Sequence, residues 1–137
     1  MDKNTQYTFG YWCDYADING EMHDRDVVAF NIDKYMGLLI NDINALAVKN
    51  GFWDEVNISE KLALIHSEVS EALEVWRKDP DAKDSHCPNH SAMGVELADI
   101  IIRTLDLAKK LDIDIVDCVL AKHNFNKTRP YKHGKKF

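Results

Sequence analysis

The length, composition and charge of this chain of 137 residues limit the kinds of protein it can be. With 45% hydrophobic and 29% charged residues it can bury one core, and it is too short for two ordinary domains. Its formal net charge of -6 argues against binding to a polymeric nucleic acid, because such binding relies on clustered Lys and Arg. An acidic chain does suit a cluster of carboxylates around a hard divalent cation.

The cysteines and the first residues indicate a compartment. Cys13, Cys87 and Cys118 are odd in number and far apart, which is not the pattern of a disulfide framework or of a closed zinc site. The polar residues 1–7 lack the apolar core of a signal peptide, and no apolar run reaches the length of a membrane span. We therefore expect a cytoplasmic protein with reduced thiols and no membrane partner.

The N-terminal segment and the segment after it differ in pattern. Residues 1–30 hold many aromatic and acidic side chains without a sustained period, so we expect an N-terminal extension that is irregular. From Ile32 apolar residues recur at helical spacing, and Asn50-Gly51 is a usual signal for the end of a helix. We therefore predict a first helix here and one helical domain over residues 31–137.

A second helix is predicted over residues 59–78. Ser59 is the candidate N-cap, and Pro80 ends the helix. Its apolar residues follow the spacing of a single stripe, which we expect to be buried: Ile58, Leu62, Ile65, Val69, Leu73 and Trp76.

A polar loop and two more helices follow. Residues 79–90 are rich in Pro, Asp, Ser and Asn, which are common in turns. A third helix is predicted over about residues 91–111 and a fourth over about 114–125, with Asp114 as the candidate cap. No segment has the alternating period of a strand, so we predict an all-α fold, a helical bundle.

The predicted third helix carries one charged strip on an otherwise apolar surface. Glu96, Asp99, Arg103 and Asp106 lie within about 80° of arc on a helical wheel. One interpretation is that the strip is the solvent edge of a core helix, with Asp99 and Arg103 paired one turn apart. The other interpretation is a functional site, and it depends on the second helix.

Two acidic residues of the second helix complete a candidate metal site. Glu68 and Glu71 are three residues apart, so their side chains can converge beside the apolar stripe. On antiparallel neighbouring helices, they would form one cluster with Glu96 and Asp99, and four carboxylates repel one another unless cations neutralise them. Oxygen donors favour Mg²⁺, with Mn²⁺ as a substitute, and Mg²⁺ usually completes its shell with waters and phosphates. The expected partner is a phosphorylated small molecule.

The two acidic pairs read Glu68-Val69-Ser70-Glu71 and Glu96-Leu97-Ala98-Asp99, with residues 72–95 between them. Their surroundings add Gly51-Phe52-Trp53 and residues 61–67 upstream, and Lys122, Asn126, Arg129 and the closing run 126–137 downstream. This set resembles the MazG-like all-α nucleoside triphosphate pyrophosphohydrolases, in which E-x-x-E is followed, after a spacer, by E-x-x-D. The resemblance covers about residues 35–137.

The resemblance implies a fold, a reaction and a set of roles. The fold would be a four-helix bundle of the MazG-like type, and the reaction would cleave a nucleoside triphosphate into a nucleoside monophosphate and pyrophosphate. Glu68, Glu71, Glu96 and Asp99 would hold Mg²⁺, and one of them would act on the attacking water. Lys122, Asn126 and Arg129 would contact the phosphates.

Some residues allow two interpretations. Trp53 either stacks on the nucleobase of the substrate or packs in the core. His86, Cys87 and His90 suggest a transition-metal site, but a structural zinc site normally needs a fourth ligand, and none is evident, so chance in a polar loop is the simpler interpretation.

Alternatives to the pyrophosphohydrolase also remain. The acidic strip can serve a non-catalytic helical module that binds a divalent cation or a basic partner. A phosphohydrolase of monophosphates or of a cyclic nucleotide would not need the Lys, Asn and Arg set. The large apolar surface of so few helices, together with the resemblance, predicts a homodimer or a higher homo-oligomer.

Overall fold

The computed structural model describes the backbone of residues 15–16, 22–23 and 25–131, and the side chains of residue 32 and of residues 34–131. Within these residues the chain forms four α-helices: α1 (Arg25–Lys49), α2 (Ile58–Lys78), α3 (Ala92–Lys110) and α4 (Ile115–Lys127). Two strands of two residues each, β1 (Tyr15–Ala16) and β2 (Met22–His23), pair antiparallel, with Tyr15 opposite His23. The predicted all-α class is confirmed.

The N-terminal region is more regular than the sequence pattern suggested. The β1–β2 pair and the first turns of α1 lie within residues 15–30, where an irregular extension was expected. Helix α1 begins at Arg25, before the first residue of the predicted apolar period, Ile32. Once a helix has formed, adding a residue to its end costs little free energy. Helix α1 therefore extends on its N-terminal side beyond the residues that show the apolar period. The rest of the extension and the basic tail from residue 132 lie outside the described residues.

The chain divides into two compact units. One unit comprises residues 38–115 and contains the C-terminal part of α1 together with α2 and α3. The other comprises residues 1–37 and 116–137 and contains α4. In the first unit α2 and α3 pack against each other, and this pair carries the acidic residues of interest. No helix in the described part of the chain combines the length and the apolar character needed to cross a membrane.

The predicted end of α1 at Asn50-Gly51 is confirmed in detail. The amide of Phe52 donates to the carbonyl of Ala47 at 3.1 Å, and the amide of Gly51 donates to Val48 at 3.0 Å. These two bonds form a Schellman motif, whose central residue must adopt a left-handed conformation. Gly51 has φ of 79°, which glycine adopts without steric penalty.

Helix α2 starts one residue earlier than predicted and has a different cap. Asn57 is the N-cap, because its side chain accepts a hydrogen bond from the amide of Glu60 at 3.2 Å. Ser59, the candidate cap, lies inside the helix. At the other end Asp79 is extended, as expected for a residue before proline, so Pro80 ends the helix as predicted.

Helix α3 is capped by Ser91, whose hydroxyl accepts from the amide of Gly94 at 3.1 Å. Its C-terminal end is a second Schellman motif, with Ile113 bonded to Ala108 at 2.9 Å and Asp112 bonded to Lys109 at 3.2 Å. Here the left-handed position belongs to Asp112, with φ of 55°. Helix α4 then continues to Lys127, past the predicted end at residue 125.

Most of the apolar stripe of α2 that was predicted to be buried is exposed in the described part of this single chain. Trp76 is 61% exposed, and the other large apolar side chains exposed on α2 are Leu62, Val69 and Leu73. Helix α3 likewise exposes Leu97, Ile101 and Ile102. The core consists of Trp53, Ala72, Leu105, Leu107 and Ala108. Periodicity identifies an apolar face but not the surface that covers it, and within this chain α2 turns Glu68 and Ala72 towards its neighbour.

Candidate metal centre

Three carboxylates from two packed helices form the candidate site. Glu68 comes from α2, and Glu96 and Asp99 come from α3, where a spacing of three residues places them on one face. One carboxylate oxygen from each residue lies within 4.8 Å of the other two. Within the described part of the chain this is the one group of His, Cys, Asp or Glu with such an arrangement.

Glu68 is the buried member of the group. It is 5% exposed, and its Oε1 accepts a hydrogen bond from Nε of Arg103 at 2.6 Å. Arg103 therefore bridges from α3 to α2. The solvent-edge interpretation instead pairs Arg103 with Asp99 on its own helix. A buried carboxylate is tolerated when it is paired and hydrogen-bonded, and Arg103 meets this requirement for Glu68.

The electrostatics of the group show crowding of negative charge. Burial raises the pKa of Glu96, and the nearby charges of Glu71, Glu68, Asp99 and Asp84 raise it further. Burial also raises the pKa of Asp99, as does the charge of Glu68, while Arg103 acts in the opposite direction. A bound divalent cation would remove the repulsion that causes part of these shifts.

Glu71, the fourth predicted ligand, lies outside the close group. Its side chain is exposed, and it is absent from the set of mutually close oxygens. Its charge still raises the pKa of Glu96, where it is the largest cause after burial. The structure thus brings together three of the four predicted ligands, and the charge of Glu71 acts on one of them, Glu96.

Asp84 is a further carboxylate near the group. From the sequence it is predicted only to lie in the polar loop of residues 79–90. Its charge raises the pKa of both Glu96 and Asp99. Its Oδ1 accepts from the amides of His86 and Cys87 at 2.9 and 2.6 Å, and its own amide donates to His90. A bridge between Lys83 and Ser91 closes this loop beside the start of α3. No linear motif signals such a closure.

The donor set fits a hard divalent cation. All three groups offer carboxylate oxygens, and oxygen ligands suit Mg²⁺ or Mn²⁺ better than zinc or copper. The cluster can hold such an ion with waters or phosphates filling the rest of its shell. His86, Cys87 and His90 are exposed, and they form no ligand group within the described residues.

Trp53 lies in the core of the same unit. It is 6% exposed, and its Nε1 donates to the carboxylate of Asp106, which also accepts from the side-chain amide of Asn44. The Nζ atoms of Lys61 and Lys110 lie 4.8 and 5.2 Å from the ring centroid. This burial favours the packing interpretation of Trp53 over base stacking.

The predicted phosphate-binding residues lie on α4 or directly after it, in the other compact unit. The side chains of Lys122 and Arg129 approach the ring of Phe125, with Nζ at 4.8 Å and the guanidinium carbon at 5.9 Å from its centroid. The side-chain oxygen of Asn126 is buried without a hydrogen-bond partner in the described residues. A buried side-chain oxygen of this kind normally accepts a hydrogen bond.

Comparison of the chain with models of protein families, with curated proteins and with solved structures found no match. The assignment of a function therefore depends on the acidic cluster and on the motifs of the sequence itself.

Proposed function

We propose that this protein is a Mg²⁺-dependent nucleoside triphosphate pyrophosphohydrolase of the MazG-like type. The observation that carries the proposal is the convergence of Glu68, Glu96 and Asp99 on one point between α2 and α3. These are three of the four positions at which the E-x-x-E and E-x-x-D motifs place metal ligands. The products would be a nucleoside monophosphate and pyrophosphate, and the role would be cleaning or balancing the nucleotide pool.

Each residue of the cluster has a part in this reaction. Glu68, Glu96 and Asp99 would hold Mg²⁺, which supplies charge neutralisation at the triphosphate and a more acidic bound water. Glu71 is exposed and its charge acts on Glu96, so it would serve as an outer carboxylate, and one of the four acidic residues would take a proton from the attacking water. The raised pKa values of Glu96 and Asp99 suit groups whose ionised forms a bound cation would stabilise.

Lys122, Asn126 and Arg129 would contact the phosphates of the substrate, as the family resemblance implies. Lys contributes a point charge and Arg a planar fork of donors, both of which suit phosphate oxygens.

The direct test is incubation of the purified protein with Mg²⁺ and a panel of ribo- and deoxynucleoside triphosphates. We expect pyrophosphate and a monophosphate from at least one member, identified by phosphorus NMR. Release of inorganic phosphate instead, or no product from any member, would refute the assignment. A nucleoside monophosphate and a cyclic nucleotide included among the substrates let the same spectra separate a phosphohydrolase of those compounds.

The second candidate is a non-catalytic module that binds a cation or a basic partner through the cluster. The Arg103–Glu68 pair favours this module, because a guanidinium already occupies part of the acidic surface. Titration with Mg²⁺ in the presence and absence of nucleotide discriminates, because an enzyme of the proposed kind binds the metal more tightly with the triphosphate present. Equal affinities together with no turnover would support the module.

We also propose that the protein is a homodimer or a higher homo-oligomer. Many large apolar side chains are exposed, which is unusual on a monomer. Those on α2 belong to the helical stripe that the sequence predicts to be buried. Light scattering at micromolar concentration should give at least twice the mass of the chain. Trp76→Glu should dissociate the assembly, whereas Val56→Glu in the loop before α2 should not.

A further inference from the structure

Helix α3 contributes a cation to the acidic cluster as well as two carboxylates. Arg103 lies one turn beyond Asp99, and its Nε donates to Oε1 of Glu68 at 2.6 Å. The two partners differ in environment, because the Glu68 side chain is 7% exposed and the Arg103 side chain is 38% exposed. The contact therefore fixes a buried carboxylate from a position that water reaches.

We infer that Arg103 is a positioning residue of the metal site, which holds the Glu68 carboxylate in the orientation that binds the cation. This inference rests on the proposed function only in requiring that the three carboxylates bind a divalent ion. The hydrogen bond engages Oε1 of Glu68, so it leaves Oε2 to serve as a ligand. Hydrogen-bonded partners of metal ligands act in this way in many sites, by ordering the ligand before the metal arrives.

Two effects of Arg103 on metal affinity oppose each other. Its positive charge repels a divalent cation, while its hydrogen bond keeps Glu68 ordered. Orientation dominates here, because a buried carboxylate that loses its donor would turn towards water and would have to be ordered again on binding. The repulsion is weaker, since a side chain that is more than a third exposed is screened by water and salt.

The charges of the group are consistent with this role. When all three carboxylates are ionised, they exceed the single guanidinium by two negative charges, which one divalent cation balances. Arg103 thus reduces the repulsion within the metal-free cluster without cancelling its attraction for one cation. Any second cation would then depend on the negative charge of the triphosphate.

The test is calorimetric titration of Mg²⁺ into the full chain, without nucleotide, for the wild type and for Arg103→Lys and Arg103→Gln. Lysine keeps the charge but replaces the rigid fork with a flexible point donor, and glutamine removes the charge. We expect both variants to bind Mg²⁺ about 10- to 100-fold more weakly. Arg77→Lys and Arg77→Gln, at an exposed position on α2, are the matched controls and should bind as the wild type does.

The outcomes separate the inference from the proposed function. An unchanged affinity in Arg103→Lys, or a tighter one in Arg103→Gln, would show that charge alone matters and would overturn the inference. No Mg²⁺ binding by the wild type would overturn the metal site together with it. Weakened binding in both Arg103 variants, with a wild type that hydrolyses no nucleotide, would support the positioning role and reject the enzyme. Helical circular dichroism checks folding, and if the glutamine variant does not fold, the lysine variant decides.

In an active enzyme a second measurement applies. For Arg103→Lys, the Mg²⁺ concentration that gives half the maximal rate should rise by the same factor as the dissociation constant, and kcat should recover at saturating Mg²⁺. A loss of kcat that saturating Mg²⁺ does not restore would contradict a role limited to positioning.

Discussion

The indole Nε1 of Trp53 donates to both carboxylate oxygens of Asp106, at 3.1 Å to Oδ1 and 3.0 Å to Oδ2. Asn44 of α1 also donates to Oδ1, at 2.7 Å. One carboxylate of α3 therefore ties together α1 and the segment that joins α1 to α2, and these contacts all lie within residues 38–115. Asp106 therefore stabilises this unit, although it lies on the same charged strip of α3 as the candidate metal ligands Glu96 and Asp99.

Asp106→Ala should destabilise the protein by about 2 kcal/mol, because it leaves the buried indole N–H without an acceptor. Urea unfolding monitored by circular dichroism measures this loss. Asp42→Ala, at an exposed position on α1, is the control and should change the free energy of unfolding by less than about 0.5 kcal/mol. Equal effects of the two substitutions would argue against the network.

Asp99→Ala should lower turnover by more than about 100-fold, since even the hydrogen-bonded partners of metal ligands contribute about 10- to 100-fold. Asp99 is one of the three carboxylates of the close group, and its loss leaves two. Glu74→Ala is the matched control on α2, because Glu74 is exposed and paired with Lys78. Steady-state rates at saturating Mg²⁺ and nucleotide give the comparison, and similar rates for Asp99→Ala and the wild type would remove Asp99 from the mechanism.

The raised pKa values of Glu96 and Asp99 predict how the metal-free protein responds to pH. A carboxyl whose pKa is higher in the folded state than in the unfolded state favours folding when it is protonated. Its contribution is complete below the unfolded pKa and is lost as the pH rises through the folded one. At neutral pH both ionised carboxylates therefore destabilise the metal-free protein.

Glu96→Gln should consequently raise the melting temperature in EDTA at pH 7, and this gain should disappear near pH 4, where the wild-type carboxyl is protonated. Mg²⁺ should stabilise the wild type at pH 7 and have little effect near pH 4, because protonated carboxyls are poor ligands. Differential scanning calorimetry at the two pH values tests both statements. A Glu96→Gln variant that is less stable than the wild type at pH 7 in EDTA would contradict the sign of the pKa shift.

Asp112→Gly should stabilise the protein by up to about 1 kcal/mol, because Asp112 occupies the left-handed position of a Schellman motif that glycine usually fills. Asp79→Gly provides the opposite case, since Asp79 is extended at φ of -159°, so glycine there adds entropy to the unfolded state and also removes the side-chain acceptor of the Asp81 amide. Thermal unfolding of the two variants should therefore shift in opposite directions. A loss of stability in Asp112→Gly would mean that the aspartate side chain stabilises this turn more than its backbone strain destabilises it.

The parts of the fold that depend on local chemistry could be predicted from the sequence. Pro80 ends α2 and Gly51 ends α1, because each acts through its own backbone conformation. The cap of α2 was misplaced by two residues. Asn57 and Ser59 are both good caps, and the sequence alone does not indicate which of their side chains reaches the amide of the N3 residue.

The sequence by itself determined the all-α class and the positions of two acidic pairs on two helices, because periodicity and spacing along one helix are local properties. Only the tertiary structure decided which carboxylates meet. It brought Glu68 together with Glu96 and Asp99, left Glu71 exposed, placed Asp84 nearby and directed Arg103 to Glu68. The rotation of α2 against α3 selects these contacts, and that rotation follows from the packing of both helices, which neither helical period encodes alone.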